Sequence, residues 1–247
     1  MSDDIRSPSP AQALPPLLSS PGAPPLVSAE QAEREPISGT LGVVEALLRQ
    51  PRRVAYWMRE GGAGRLTLTL LLVTLACSLV YGLVVGSFSM KDQLWKAPLK
   101  ICAGLFLSAF ICLPSLYIFA CLSGARVRLT EVGGLVAGAL ALMTILLIGF
   151  APVAWIFSQS TESVPAMGAL HLLFWAIATY FCARFLQDGF SHLGGRPAGL
   201  RLWFLIFLLV MIQMTTALRP LVGTADSVLP TEKKFFMTHW MEQLRKE

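Results

Sequence analysis

Between Arg65 and Lys91 the chain reads Leu66-Thr67-Leu68-Thr69-Leu70-Leu71-Leu72-Val73-Thr74-Leu75-Ala76-Cys77-Ser78-Leu79-Val80-Tyr81-Gly82-Leu83-Val84-Val85-Gly86-Ser87-Phe88-Ser89-Met90, without one Asp, Glu, Lys or Arg. A helix crossing a bilayer needs about 20 mostly apolar residues, and this run supplies them. Four more such runs follow. One is Ile101 to Ala125, between Lys100 and Arg126; the next two lie between Glu131 and Glu162 and between Glu162 and Arg184; the last is Leu202 to Leu218, between Arg201 and Arg219. They predict an all-α integral membrane protein with five transmembrane helices. The third run is longer than a span needs, and Ala151-Pro152 is expected to end or kink it. The fifth is short, and Arg201 and Arg219 can snorkel to cover the deficit.

Composition agrees. Of 247 residues, 54% are hydrophobic and only 14% charged, against about 25% charged in a soluble domain. A mean hydropathy of +0.61 leaves too little polar surface for an ordinary soluble enzyme. The net charge of +5 comes from basic residues placed between apolar runs, where they set orientation. No basic patch interleaved with exposed aromatics suggests nucleic-acid binding.

The ends differ from the middle. Residues 1–37 hold half of the 16 prolines, from Pro8 to Pro36, and are expected to form a disordered cytoplasmic tail. Pro21 and Pro24 make a Pro-x-x-Pro step that suits a polyproline ligand. Residues 38–65 form a basic amphipathic segment. Val44, Leu47, Leu48, Val54, Trp57 and Met58 follow helical spacing, Arg49, Arg52, Arg53 and Arg59 supply the polar side, and Pro51 is expected to divide it into two short helices. Trp and Arg together suit the headgroup boundary, so Arg49, Arg52, Arg53 and Trp57 are candidate lipid- or partner-binding residues. The transmembrane domain takes residues 66–218. In the tail, residues 219–247, Thr231 reads as an N-cap, followed by the apolar stripe Phe236, Met237, Trp240, Met241 and Leu244. Phe235, Phe236, Trp240 and Leu244 are the matching candidates there, for lipid or a partner.

Orientation follows the lysines and arginines. With the N-terminus inside, Arg49, Arg52, Arg53, Arg59 and Arg65, then Arg126 and Arg128, then Arg184, Arg196 and Arg201 are cytoplasmic. Lys91, Lys96 and Lys100 fall in the first outer loop. The bias favours a cytoplasmic N-terminus and an external C-terminus.

Inside the spans, small residues recur every fourth position. Ser78, Gly82 and Gly86 do so on the first span, and Gly134 and Gly138 on the third. Such faces let helices approach closely, either within the bundle or in a homodimer. Catalytic signals are few. His171 is the one histidine in a span, with no span carboxylate to orient it. Ser108, Ser115 and Ser123 are the serines considered beside it, but no serine-hydrolase or zinc-protease motif occurs. The five cysteines lie inside apolar runs at no metal-ligand spacing, and are expected as free thiols. No catalytic residue, metal or cofactor is expected. Pro114-Ser115, Ala151-Pro152, Gln213, Thr215 and Thr216 are what a transport path would draw on.

The plan resembles the Yip domain family, the Ypt/Rab-interacting-type membrane proteins. The features are the Pro-rich N-terminus, Leu47-Leu48-Arg49-Gln50-Pro51-Arg52-Arg53 ahead of the first span, five closely spaced spans and an outer C-terminus. The Pro-Arg-Arg step is similar to the bacterial members. The resemblance implies a non-enzymatic protein of a bacterial cytoplasmic membrane that organises or recruits protein partners. A small-solute or ion transporter or channel component is the alternative.

Overall fold

The structure, a computed structural model, describes residues 35–59, 63–87, 93–125, 127–161, 163–192 and 197–217. Two short helices come first, α1 (Gly39–Arg49) and α2 (Pro51–Arg59). Five longer ones follow: α3 (Ala63–Ser87), α4 (Gln93–Leu122), α5 (Leu129–Ser160), α6 (Val164–His192) and α7 (Pro197–Ala217). The described residues contain no strand.

The boundaries have local causes. Pro51 and Pro197 open α2 and α7, at the one helical position where a missing N–H costs nothing. Gln50 N–H closes α1 by donating to Ala46 O at 2.8 Å. Gly124 ends α4 in the left-handed region, φ +86°. There Gly124 N–H donates to Cys121 O and Ala125 N–H to Ala120 O, the paired bonds of a Schellman turn. The Glu131 carboxylate accepts from Arg128 N–H at 3.1 Å and so caps the start of α5. Ser163 Oγ accepts from Ala166 N–H at the start of α6.

Helices α3 to α6 are each long and apolar enough to cross a membrane. The apolar stretch of α7, Gly199–Met214, is shorter. These helices fit a multi-pass membrane protein. Its outer face fits that solvent: Leu72, Phe110, Ile118, Trp155, Leu205 and Leu209 are all exposed, an apolar surface that water would not tolerate on a monomer.

Helix α5 is the hub. In its most apolar window 72% of residues are buried, against 28–39% for α3, α4 and α6. Small residues make this possible, since Gly134, Ala137, Gly138, Ala139 and Ala141 let neighbours close on it. Helices α3 and α6 pack on α5, α4 packs on α3, and α7 packs chiefly on α4. Helices α1 and α2 close one end, and their Val43, Ala46, Leu47, Val54, Ala55 and Met58 join the same core.

Three expectations need correction. Pro152 does not end the third span, because α5 runs through it to Ser160. Likewise Pro98 and Pro114 lie inside α4. A proline removes one helical hydrogen bond, whereas ending a helix in hydrocarbon would strand several polar groups. The second span begins before Ile101: α4 starts at Gln93, so Lys96 and Lys100 belong to the helix and Lys100 is only 2% exposed. The apolar face of the basic segment is also not left wholly to the headgroups, because the bundle buries its Leu47, Val54 and Met58, while Leu48 stays exposed.

Candidate functional site

The candidates of the basic segment, Arg49, Arg52, Arg53 and Trp57, divide into two pairs. Arg49 and Arg52 are exposed. Arg49 meets Glu45 one turn back, at 2.9 Å, an exposed pair of little energetic weight. Arg53 and Trp57 instead turn toward the segment entering α1. Arg53 Nε donates to Glu35 O at 3.0 Å and its Nη2 to Pro36 O at 3.1 Å. Trp57 Nε1 donates to the same Glu35 O at 2.9 Å. Beneath them Met58 reaches into the glycine face of α5. A Cβ on Gly134 would stand 3.1 Å from Met58 Sδ, and one on Gly138 would stand 2.8 Å from Phe185 of α6.

The small residues of α3 are likewise inside the chain. Ser78, Gly82 and Gly86 are buried, and Gly82 lies against the backbone of Pro98 in α4. This stripe is covered within one copy and offers no face to a second. The candidates Phe235, Phe236, Trp240 and Leu244, and the expected helix that carries them, lie outside the described residues. So do residues 1–34 of the Pro-rich tail.

Among the described residues, a buried polar side-chain pair joins α3 and α6. Tyr81 Oη of α3 and His171 Nδ1 of α6 are 2.8 Å apart, and the two residues are 0% and 7% exposed. The rings meet edge to face at 5.7 Å. Phe174 stands edge-on to the imidazole and stacks on Phe150 of α5 at 4.7 Å. His171 Nε2 is buried without a partner. With the phenol donating, Nδ1 is the acceptor and Nε2 carries the proton; with the other tautomer these roles exchange. The serines considered beside His171 lie elsewhere in the hydrogen bonding. Ser115 Oγ donates to Cys112 O and Ser123 Oγ to Ala120 O, while Ser108 Oγ is buried without a partner.

Sequence reading missed Tyr81, although the signal was present. Tyr81 falls on the same buried face of α3 as Thr74 and Ser78, but its partner is 90 residues away. It also missed Trp203, which is 1% exposed. The indole Nε1 donates to Cys112 O at 3.0 Å and to Ser115 Oγ at 3.2 Å, tying α7 to α4. Two other interior hydroxyls fold back on their own helices, Thr74 donating to Leu70 O and Thr144 to Leu140 O, while Thr67 Oγ1 is buried without a partner.

A shallow apolar groove of about 360 Å³ lies where α5 ends and α6 begins, lined by Phe157, Thr161, Met167, Leu170 and Leu173. The five cysteines are free thiols. Among the described residues no three His, Cys, Asp or Glu side chains gather as a metal site would require.

No protein-family model, curated protein or solved structure matches the chain. Its function has to be argued from its own residues.

Proposed function

We propose that the chain is a non-enzymatic membrane organiser of the bacterial Yip type, with five spans, that recruits partners on its cytoplasmic end. The observation that carries this reading is the docking of α1 and α2 on the bundle. Val43, Leu47, Val54 and Met58 are sunk in the common core, which leaves Arg49 and Arg52 outward on a fixed base. A rigid basic platform continuous with a proline-rich segment suits recruitment at an anionic leaflet, where each basic residue near the surface contributes about 1 kcal/mol.

The fifth crossing is α7. Its apolar stretch Gly199–Met214 measures about 24 Å at 1.5 Å per residue, short of the hydrocarbon thickness, and Arg201 near its start can snorkel to cover the deficit. Five crossings from a cytoplasmic N-terminus bring residues 219–247 outside. The stripe Phe235, Phe236, Trp240 and Leu244 then serves as a second contact, on lipid or on a protein.

A transport role is the second reading, and the unpartnered Nε2 of His171 favours it, since ionisable groups within spans often mark pathways. One experiment separates the two. The full chain is purified in mild detergent with its associated proteins, and solute and ion flux is measured in proteoliposomes. Recruitment predicts that Arg49→Glu with Arg52→Glu removes the associated proteins while His171→Phe keeps them. A flux abolished by His171→Phe, with associated proteins unchanged by the arginine pair, would establish transport instead.

A further inference from the structure

The edge of α2 that carries Arg53 and Trp57 is a built reader of peptide carbonyls. Three donor atoms on two side chains meet two consecutive main-chain carbonyls. Glu35 O accepts from Arg53 Nε and from Trp57 Nε1, and Pro36 O accepts from Arg53 Nη2. Gln50 Oε1 accepts from Arg53 Nη1 at 3.1 Å, so the guanidinium is fixed from a third side. The Glu35 carboxylate lies 3.8 Å from the same group. Side-chain exposure separates the partners: Arg53 is 16% exposed and Glu35 68%. The donors are thus set in the protein and the peptide lies over them.

Nothing in this contact reads the side chain of Pro36. A proline nevertheless belongs there for a physical reason. It carries no N–H, its φ is fixed, and its neighbour is driven from the helical region. A segment of this kind keeps its carbonyls free of secondary structure, and little conformational freedom is lost when they are bound. Proline-rich segments in general are taken beside aromatic side chains with little conformational entropy to lose, and Trp57 supplies one such ring together with its N–H.

We propose that the Arg53–Trp57 edge of α2 is a docking site for proline-containing peptide, filled by this chain's own Glu35–Pro36. The inference goes beyond the organiser reading and does not depend on it, because it concerns what α2 binds rather than what the protein recruits.

Two measurements on the full-length chain test it. The first is early tryptic cleavage after Arg34, with cleavage after Arg6 as the internal control. Trp57→Phe removes the indole donor and Arg53→Gln removes the fork. Each should speed cleavage after Arg34 by about tenfold, as loss of a charge-assisted or shared hydrogen bond implies, with Arg6 cleavage and melting temperature unchanged. The second uses a chain in which Glu35→Gly and Pro36→Gly loosen the resident segment. A fluorescent peptide of residues 33–38 should bind this chain at millimolar concentration or below, by anisotropy, and adding Trp57→Phe should abolish binding. Unchanged cleavage after Arg34 in both variants would overturn the proposal. Faster cleavage without peptide binding would overturn it too, because the contact would then be an internal latch and no peptide site.

Discussion

Gly82 of α3 and Pro98 of α4 touch backbone to backbone. A Cβ on Gly82 would lie 2.9 Å from Pro98 N and closer still to its Cα. Neither atom can swing aside as a long side chain would. The contact lies next to Tyr81 in sequence, so the approach of α4 and the placing of the buried phenol depend on the same turn of α3.

Gly82→Ala should therefore destabilise the protein by about 1–3 kcal/mol, the usual range for overpacking. At Gly149 an added Cβ would meet nothing within 4 Å, and Gly149→Ala is the control. Thermal unfolding in detergent should show a clear loss for the first and little change for the second.

The Tyr81–His171 pair should be strongly non-additive. Tyr81→Phe leaves the imidazole with both nitrogens unpaired, and stranding a buried polar group costs about 1–3 kcal/mol. The double variant Tyr81→Phe with His171→Phe removes both polar partners and should lose less than the sum of the two singles. A double-mutant cycle on unfolding free energies measures this coupling. Additive losses would mean that the hydrogen bond contributes nothing.

Trp203→Phe keeps an aromatic ring beside Phe207, which now stacks on the indole at 5.3 Å, but removes the donor to Cys112 O and Ser115 Oγ. It should cost about 1 kcal/mol. Trp203→Ala should cost about 3–5 kcal/mol, as truncation of a buried aromatic does. Denaturant titration of the two variants checks the ordering.

These contacts mark what the sequence carried and what it did not. Four of the five expected spans were legible, as helices long and apolar enough to cross a membrane, because charge-free runs of that length have one stable form in lipid. The break at Pro51 was legible because proline has one favoured place in a helix. Periodicity also showed which face of residues 38–65 is apolar. It did not show what covers that face, since a headgroup layer and a protein core ask for the same pattern. The structure puts Met58 against Gly134, so the core covers that part of the face, while Leu48 stays exposed. The Tyr81–His171 and Trp203–Cys112 pairs were hidden for another reason. They join helices far apart in the chain, and no spacing rule within one helix reaches across that distance. Pro152 does not end its helix, because stopping a helix in hydrocarbon would strand several polar groups, whereas a proline inside it removes one hydrogen bond.

A platform of α1 and α2 on the cytoplasmic side of five crossings is the central claim. Reporter fusions after Ala125, Thr161, Gly195 and Glu247 of the chain test it most directly. Cytoplasmic, external, cytoplasmic and external readings are expected in that order. A cytoplasmic reading at Glu247 with the other three as expected would show that α7 does not cross. An external reading at Ala125 and a cytoplasmic one at Thr161 would place the platform on the outer side and contradict the claim as a whole.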